Sequence, residues 1–286
     1  MDDHFAHCAE LVRNADKDRF LATLFAPAEH RPALLALYAF NVEIARVREV
    51  VRQPLAGEIR LQWWSDLLAG EARGEANANP VAAALIETKA RYRLRDAPLQ
   101  DLIAARRFDL YDEPMPTLAE LESYGYGTAA TLIAVAARIL APAADVEALA
   151  LHAGLAYAIA NLLKAFPLHA ARGQLYVPLE LLQRHGIGAA EALGAKALGG
   201  RATPELRATL ADLRAEARRQ LDAAGAAFAA APAELAPALL PVSLVRPLLD
   251  RMERPDYDPF TPVEIPQWRR QWRLWRAARR PGRIFG

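Results

Sequence analysis

Trp268, Trp272 and Trp275 recur at i, i+4 and i+7 near the C-terminus, a spacing that lines one face of a helix. Arg269, Arg270, Arg273, Arg276, Arg279, Arg280 and Arg283 surround them, and no acidic residue follows Glu264. Tryptophan beside arginine on an amphipathic helix suits an anionic membrane surface, and Arg269, Arg273 and Arg276 are the candidate head-group contacts. The competing reading packs the tryptophans on the rest of the chain and leaves the arginines solvated. Near the other end, His4, His7 and Cys8 are metal-ligand types at close spacing. With no HExxH, second cysteine or partner cluster, they read as part of a terminal helix rather than a metal site. Two inner segments also concentrate functional groups. YAFNVEIARVRE (38–49) carries Arg46, Arg48 and Glu49, and NLLKAFPLHAARGQLYVP (161–178) carries Lys164, His169, Arg172 and Tyr176.

The elements that must position these residues are helices. Alanine and leucine dominate, apolar residues recur at helical spacing, and strand alternation is nowhere sustained. Helices are expected over about 2–14, 16–24, 28–51, 56–70, 79–91, 97–110, 117–139, 143–165, 178–185, 203–230, 234–253 and 264–279. The Asp112–Pro116 cluster ends one of them, and Thr117 is placed to cap the next. Ala141-Pro142 separates two apolar helices, and 186–200 reads as a flexible glycine-rich loop with short helical pieces. The 53% hydrophobic content supports a substantial core, organised as one helical domain over 1–262 with a basic, tryptophan-rich tail over 263–286. Thirty-five basic residues nearly balance 34 acidic ones, so no global charge points to nucleic acid. The start, MDDHFAHCAE, lacks the basic and apolar run of a secretory signal, so a cytoplasmic protein is expected, peripheral on the inner membrane.

The two inner segments, in order with several others, resemble the squalene/phytoene synthase family. Its active members read YAFCRxxDDxxD in the first segment and NxxRDxxxDxxRGRxYLP in the second. Asn161, Arg172, Gly173, Tyr176 and Pro178 match the second pattern, with Lys164 and Gln174 in place of arginines. Phe20–Phe25, Leu61–Asp66 and Glu122–Ala129 resemble further family segments, so the resemblance covers about residues 14–185. The fold it implies is an all-α, isoprenoid-synthase-like helical bundle with a central cavity. The family's two aspartate pairs fall on Ala45 and Glu49 and on Ala165 and His169, leaving one of those four carboxylates.

In active members those carboxylates hold Mg²⁺ ions that clamp a prenyl diphosphate. Alanine supplies no ligand and magnesium disfavours imidazole, so the resemblance implies a non-catalytic member needing no cofactor. A closer likeness, in YAFNVE, in KAFP followed by His169, and in DYDPF (256–260), is to a subgroup that lacks the aspartate pairs. That subgroup assists assembly of mitochondrial respiratory complex I, which implies complex I subunits or assembly factors as partners. Two alternatives stand beside it. One is an active transferase joining two prenyl diphosphates head to head with Mg²⁺. The other is a lipid-phosphate binding module, in which Arg46, Lys164, His169, Arg172 and Tyr176 hold a prenyl or lipid phosphate directly.

Overall fold

The computed structural model describes residues 3–71, 78–194 and 202–286. The helices are α1 (Asp3–Ala15), α2 (Lys17–Thr23), α3 (Arg31–Ala45), α4 (Val47–Val50), α5 (Pro54–Ala69), α6 (Pro80–Tyr92), α7 (Asp96–Ala105) and α8 (Leu118–Gly125). They continue with α9 (Thr131–Leu140), α10 (Glu147–Ala171), α11 (Leu179–Arg184), α12 (Ala189–Gly194), α13 (Pro204–Phe228), α14 (Ala236–Leu239), α15 (Val245–Met252) and α16 (Gln267–Arg279). No strand occurs among the described residues. The start signals are local. Asp16, Asn79, Thr117 and Thr203 each accept a backbone N–H in the first turn of α2, α6, α8 and α13. Pro80 and Pro204 add fixed φ angles where no intrahelical N–H is needed.

Several expected helices are divided. The one expected over 28–51 breaks at Arg46 into α3 and α4. The one over 117–139 contains a π-helical turn, Tyr126–Ala130, between α8 and α9. The stretch 234–253 alternates short 3₁₀ and α pieces, with prolines at 237, 241 and 247. Ala189–Gly194 is the one helical piece described in the glycine-rich stretch, whose residues 195–200 lie outside the described residues.

Apolar burial falls into two clusters. One gathers α10, α13, α15 and the C-terminal segment, with Leu163, Phe166, Leu213, Leu221 and Leu249 buried. The other gathers α1, α3, α5, α6, α7 and α9 around Leu34, Phe40, Leu61, Leu85 and Leu102. α10 is long and apolar enough to cross a membrane, yet it is the core helix of the bundle, packed along α13. Gly154 sets its depth. A Cβ there would lie 2.2 Å from Ala130 Cα, so only glycine lets α10 approach the π turn this closely.

The C-terminal segment is docked on this bundle. Leu274 and Ala277 of α16 are buried, as are Ile284 and Phe285 beyond it. The Phe285 ring lies 5.5 Å from that of Phe228, Arg246 donates to the Phe285 carbonyl, and Arg270 pairs with Asp18 of α2. The segment expected as a distinct tail therefore contributes to the core.

Candidate functional site

A cavity of about 290 Å³ lies where the two apolar clusters meet. One wall is Asn41 and Ala45 of α3 with Arg48 and Glu49 of α4, at i, i+4, i+7 and i+8. The facing wall is Tyr157, Ala158, Asn161, Leu162, Ala165 and His169 of α10. The π turn brings in Thr128 and Ala129, a local widening that π-helical turns supply inside helices.

The end of α10 closes over the cavity through Gly173, whose φ of +73° lets the chain turn back on the helix. Gly173 N–H then donates to the Ala170 carbonyl at 3.2 Å and Gln174 N–H to that of His169 at 2.9 Å. Beyond the turn, Met115 N–H donates to the Leu175 carbonyl at 2.9 Å, and Leu179 N–H to that of Met115 at 2.8 Å. This pairing holds Tyr176 beside the segment that carries Asp109.

The sequence expectations are distributed unevenly. Ala45, Glu49, Ala165, His169, Arg172 and Tyr176 all converge on the cavity. Arg46 does not. It is the exposed residue at the break between α3 and α4, about 100° around the helix from Ala45. Lys164 lines a neighbouring pocket with Asp18, Arg270 and apolar residues of 241–265; that pocket shares Tyr157 and Asn161 with the cavity. The break shifts which cation points inward, so Arg48 takes the place expected of Arg46.

Three cavity residues were invisible as a group in the sequence: Arg19, Arg106 and Asp109. Asp109 is buried and fully engaged. Its Oδ1 accepts from the hydroxyls of Tyr124 at 2.9 Å and Tyr176 at 2.7 Å, and its Oδ2 accepts from Arg106 at 3.2 Å. Burial raises the pKa of both tyrosines, the Asp109 charge adds to it, and they stay protonated donors. Asp109 offered one signal, a lone acid between Phe108 and Leu110 just after Arg106-Arg107. Arg19 pairs with Asp16 at 2.5 Å and lies over the rings of Tyr157 (5.0 Å) and Tyr38 (5.7 Å).

His169 sits with its ring 4.5 Å from Tyr176. Burial lowers its pKa below the ordinary imidazole value; Asp109 opposes this shift and Arg172 adds to it. The ring is therefore neutral at pH 7 and can donate or accept a hydrogen bond but brings no charge. At the mouth, Arg172 faces Glu49 at 3.9 Å and Arg48 donates to Asp112 at 3.0 Å, both between partly exposed groups.

These residues do not fit a magnesium clamp. Ala45 and Ala165 supply no ligand, Glu49 faces Arg172, and Asp109 already accepts three hydrogen bonds. Among the described residues no group of three or more His, Cys, Asp or Glu could hold a metal ion.

α16 presents a different arrangement. Leu274 and Ala277 face the bundle, while Trp268, Trp272 and Trp275 stand on the opposite side, 64%, 52% and 40% exposed. The rings of Trp272 and Trp275 stack at 4.9 Å, and Arg269 and Arg279 lie over Trp268 and Trp275. Arg273 and Arg276 are exposed on one flank.

The family profile described as squalene/phytoene synthase matches residues 12–276. The chain is 30% identical over 262 residues to NADH dehydrogenase (ubiquinone) complex I, assembly factor 6 of Rattus norvegicus, covering 91% of this chain and 77% of that one. It is 27% identical to a phytoene synthase of Arthrospira platensis, covering 94% and 90%. Among solved structures, a dehydrosqualene synthase in complex with ligand superposes with a TM-score of 0.81 at 20% identity, covering 96% of this chain and 95% of that one. Squalene synthase HpnC from Alicyclobacillus acidocaldarius gives 0.76 at 24% identity, covering 90% and 95%. These structural likenesses establish an isoprenoid-synthase-like, all-α fold.

Proposed function

We propose, from the premise that the chain belongs to the squalene/phytoene synthase family, that it keeps the family's framework without its diphosphate chemistry and assists assembly of respiratory complex I at a membrane. The observation that carries the first half is the cavity itself. The positions that should oppose two metal-binding faces hold Ala45, Ala165 and a neutral His169, and the one deeply buried carboxylate, Asp109, is bonded to Arg106, Tyr124 and Tyr176. Breaking a prenyl–oxygen bond needs charge stabilisation of the departing diphosphate, and this wall has no ligand set to hold the ion that would supply it. The assembly role is supported by the likeness to complex I assembly factor 6 over 91% of the chain.

The face of α16 supports the membrane contact. Three tryptophans project away from the buried side of the helix, with Arg269, Arg273 and Arg276 beside them. Tryptophan seats at the interface between head groups and acyl chains, and arginine meets anionic head groups.

Depletion of the chain from its own cells, with assembled complex I read on native gels, tests the role. Complex I is expected to fall, and to be restored by the wild-type chain and equally by Glu49→Gln, because the role needs no metal clamp. Unchanged complex I after depletion would overturn the assembly reading, and failure of Glu49→Gln alone would return the carboxylate to a central role.

A further inference from the structure

The cavity holds more buried polar function than its own residues satisfy. Among the described residues, four buried side-chain nitrogen or oxygen atoms have no hydrogen-bond partner. Three of them, Asn41 Oδ1, Arg48 Nε and Arg106 Nε, belong to side chains lining this one cavity. Asn41 is only 7% exposed. Buried polar atoms without a partner are destabilising, so two such donors and one such acceptor gathered on one cavity mark a place built for a partner. Arg19, Arg48, Arg106 and Arg172 line the cavity with Glu49 and Asp109, while the partners of Arg19 and Arg48, Asp16 and Asp112, lie outside its lining. The Arg172–Glu49 contact, at 3.9 Å between half-exposed side chains, is the kind of pair that a better acceptor displaces readily.

The same lining limits what can enter. A prenyl or acyl chain needs an apolar channel behind the charged end. Here Leu132, Ala158, Leu162 and Ala165 share the lining with Tyr157 and with the Arg19 guanidinium, which is kept in place by Asp16 and by the rings of Tyr38 and Tyr157. A chain laid against it would bury that charge against hydrocarbon. The volume, about 290 Å³, also lies at the small end of ligand sites, which span about 300–1,000 Å³.

We propose that the cavity binds a compact hydrophilic oxyanion, a phosphate or a carboxylate without an apolar chain, directly on Arg48, Arg106 and Arg172 and without a metal ion. Guanidinium groups donate to such anions from Nε as well as from Nη, and Nε is the nitrogen that Arg48 and Arg106 leave unpaired. The Asn41 amide can turn its NH₂ toward the anion, since its orientation follows the hydrogen bonds on offer. The site stands apart from the prenyl or lipid phosphate reading, and it does not depend on the assembly role.

Calorimetric titration of the full chain in EDTA, with inorganic phosphate, malonate and farnesyl monophosphate as three separate probes, tests it. Saturable binding of phosphate or malonate is expected at one site per chain, with whichever binds tighter identifying the anion class. Added salt should weaken it, and farnesyl monophosphate should bind no tighter than phosphate. Arg48→Gln and Arg172→Gln, at the mouth, should each weaken binding about tenfold, with circular dichroism verifying that both variants remain folded. Four results would overturn the proposal: no saturable binding of either small anion, unchanged binding in folded variants, a requirement for Mg²⁺, or tighter binding of farnesyl monophosphate.

Discussion

Two regions of the molecule collect arginine, and they treat it in opposite ways. Around the cavity, Arg19, Arg48, Arg106 and Arg172 each face a carboxylate, respectively Asp16, Asp112, Asp109 and Glu49. On the outer side of α16, Arg269, Arg273, Arg276 and Arg279 have no carboxylate within ion-pair distance among the described residues, and two of them lie over tryptophan rings. The paired cations help to order an interior, and the unpaired ones beside exposed aromatics form the face proposed to meet an anionic membrane surface. The difference separates the part of the chain inherited as framework from the part that faces outward.

The largest test of that separation is to remove residues 263–286. The sequence reads this segment as a tail, but Leu274, Ile284 and Phe285 are buried. Each such side chain contributes about 1.5–3 kcal/mol, so denaturant unfolding should show a loss of several kcal/mol. Replacing Trp268, Trp272 and Trp275 together by alanine should instead leave stability within about 1 kcal/mol, as exposed sites do, and still release the protein from anionic vesicles in flotation. A triple variant that unfolds like the truncation would make the tryptophans structural. A stable variant that still floats with vesicles would put the membrane contact elsewhere.

Within the cavity, Asp109→Ala should cost about 3–5 kcal/mol, because it strands Arg106 and the hydroxyls of Tyr124 and Tyr176 in a buried site. A loss below about 1 kcal/mol, read by denaturant unfolding, would show that the ion pair does not order this interior.

The smallest effect concerns pH. The folded-state pKa of His169 is depressed, so as pH falls through the ordinary histidine range the unfolded chain takes up the proton first. Stability contributed by the neutral ring is therefore present above about pH 6.5 and is lost as pH drops toward the folded value. His169→Gln should flatten this part of the stability curve. An unchanged curve would mean that the ring is not held neutral against the cavity wall.

The fold was legible in the sequence because helical periodicity repeats over long stretches and the capping residues Thr117, Asn79 and Thr203 are local signals. The site was legible only where spacing along a single helix fixes direction. Ala45 and Glu49, four residues apart, face the cavity, as do Ala165 and His169. Arg46 was misplaced because one residue is about 100° of rotation, and Lys164 was turned into the neighbouring pocket for the same reason. Asp109, Arg106 and Arg19 come from separate segments and meet only through packing. No pattern within a short window could have joined Arg19 to Tyr157 or Asp109 to Tyr176.

The central claim is that this synthase framework no longer performs synthase chemistry. Its most direct test is incubation of the purified full chain with farnesyl or geranylgeranyl diphosphate and Mg²⁺, following pyrophosphate release and hydrocarbon products by chromatography. The account predicts neither above a heat-treated control, with Ala45 and Ala165 leaving the magnesium clamp unformed. Squalene, phytoene or pyrophosphate above that control would contradict it.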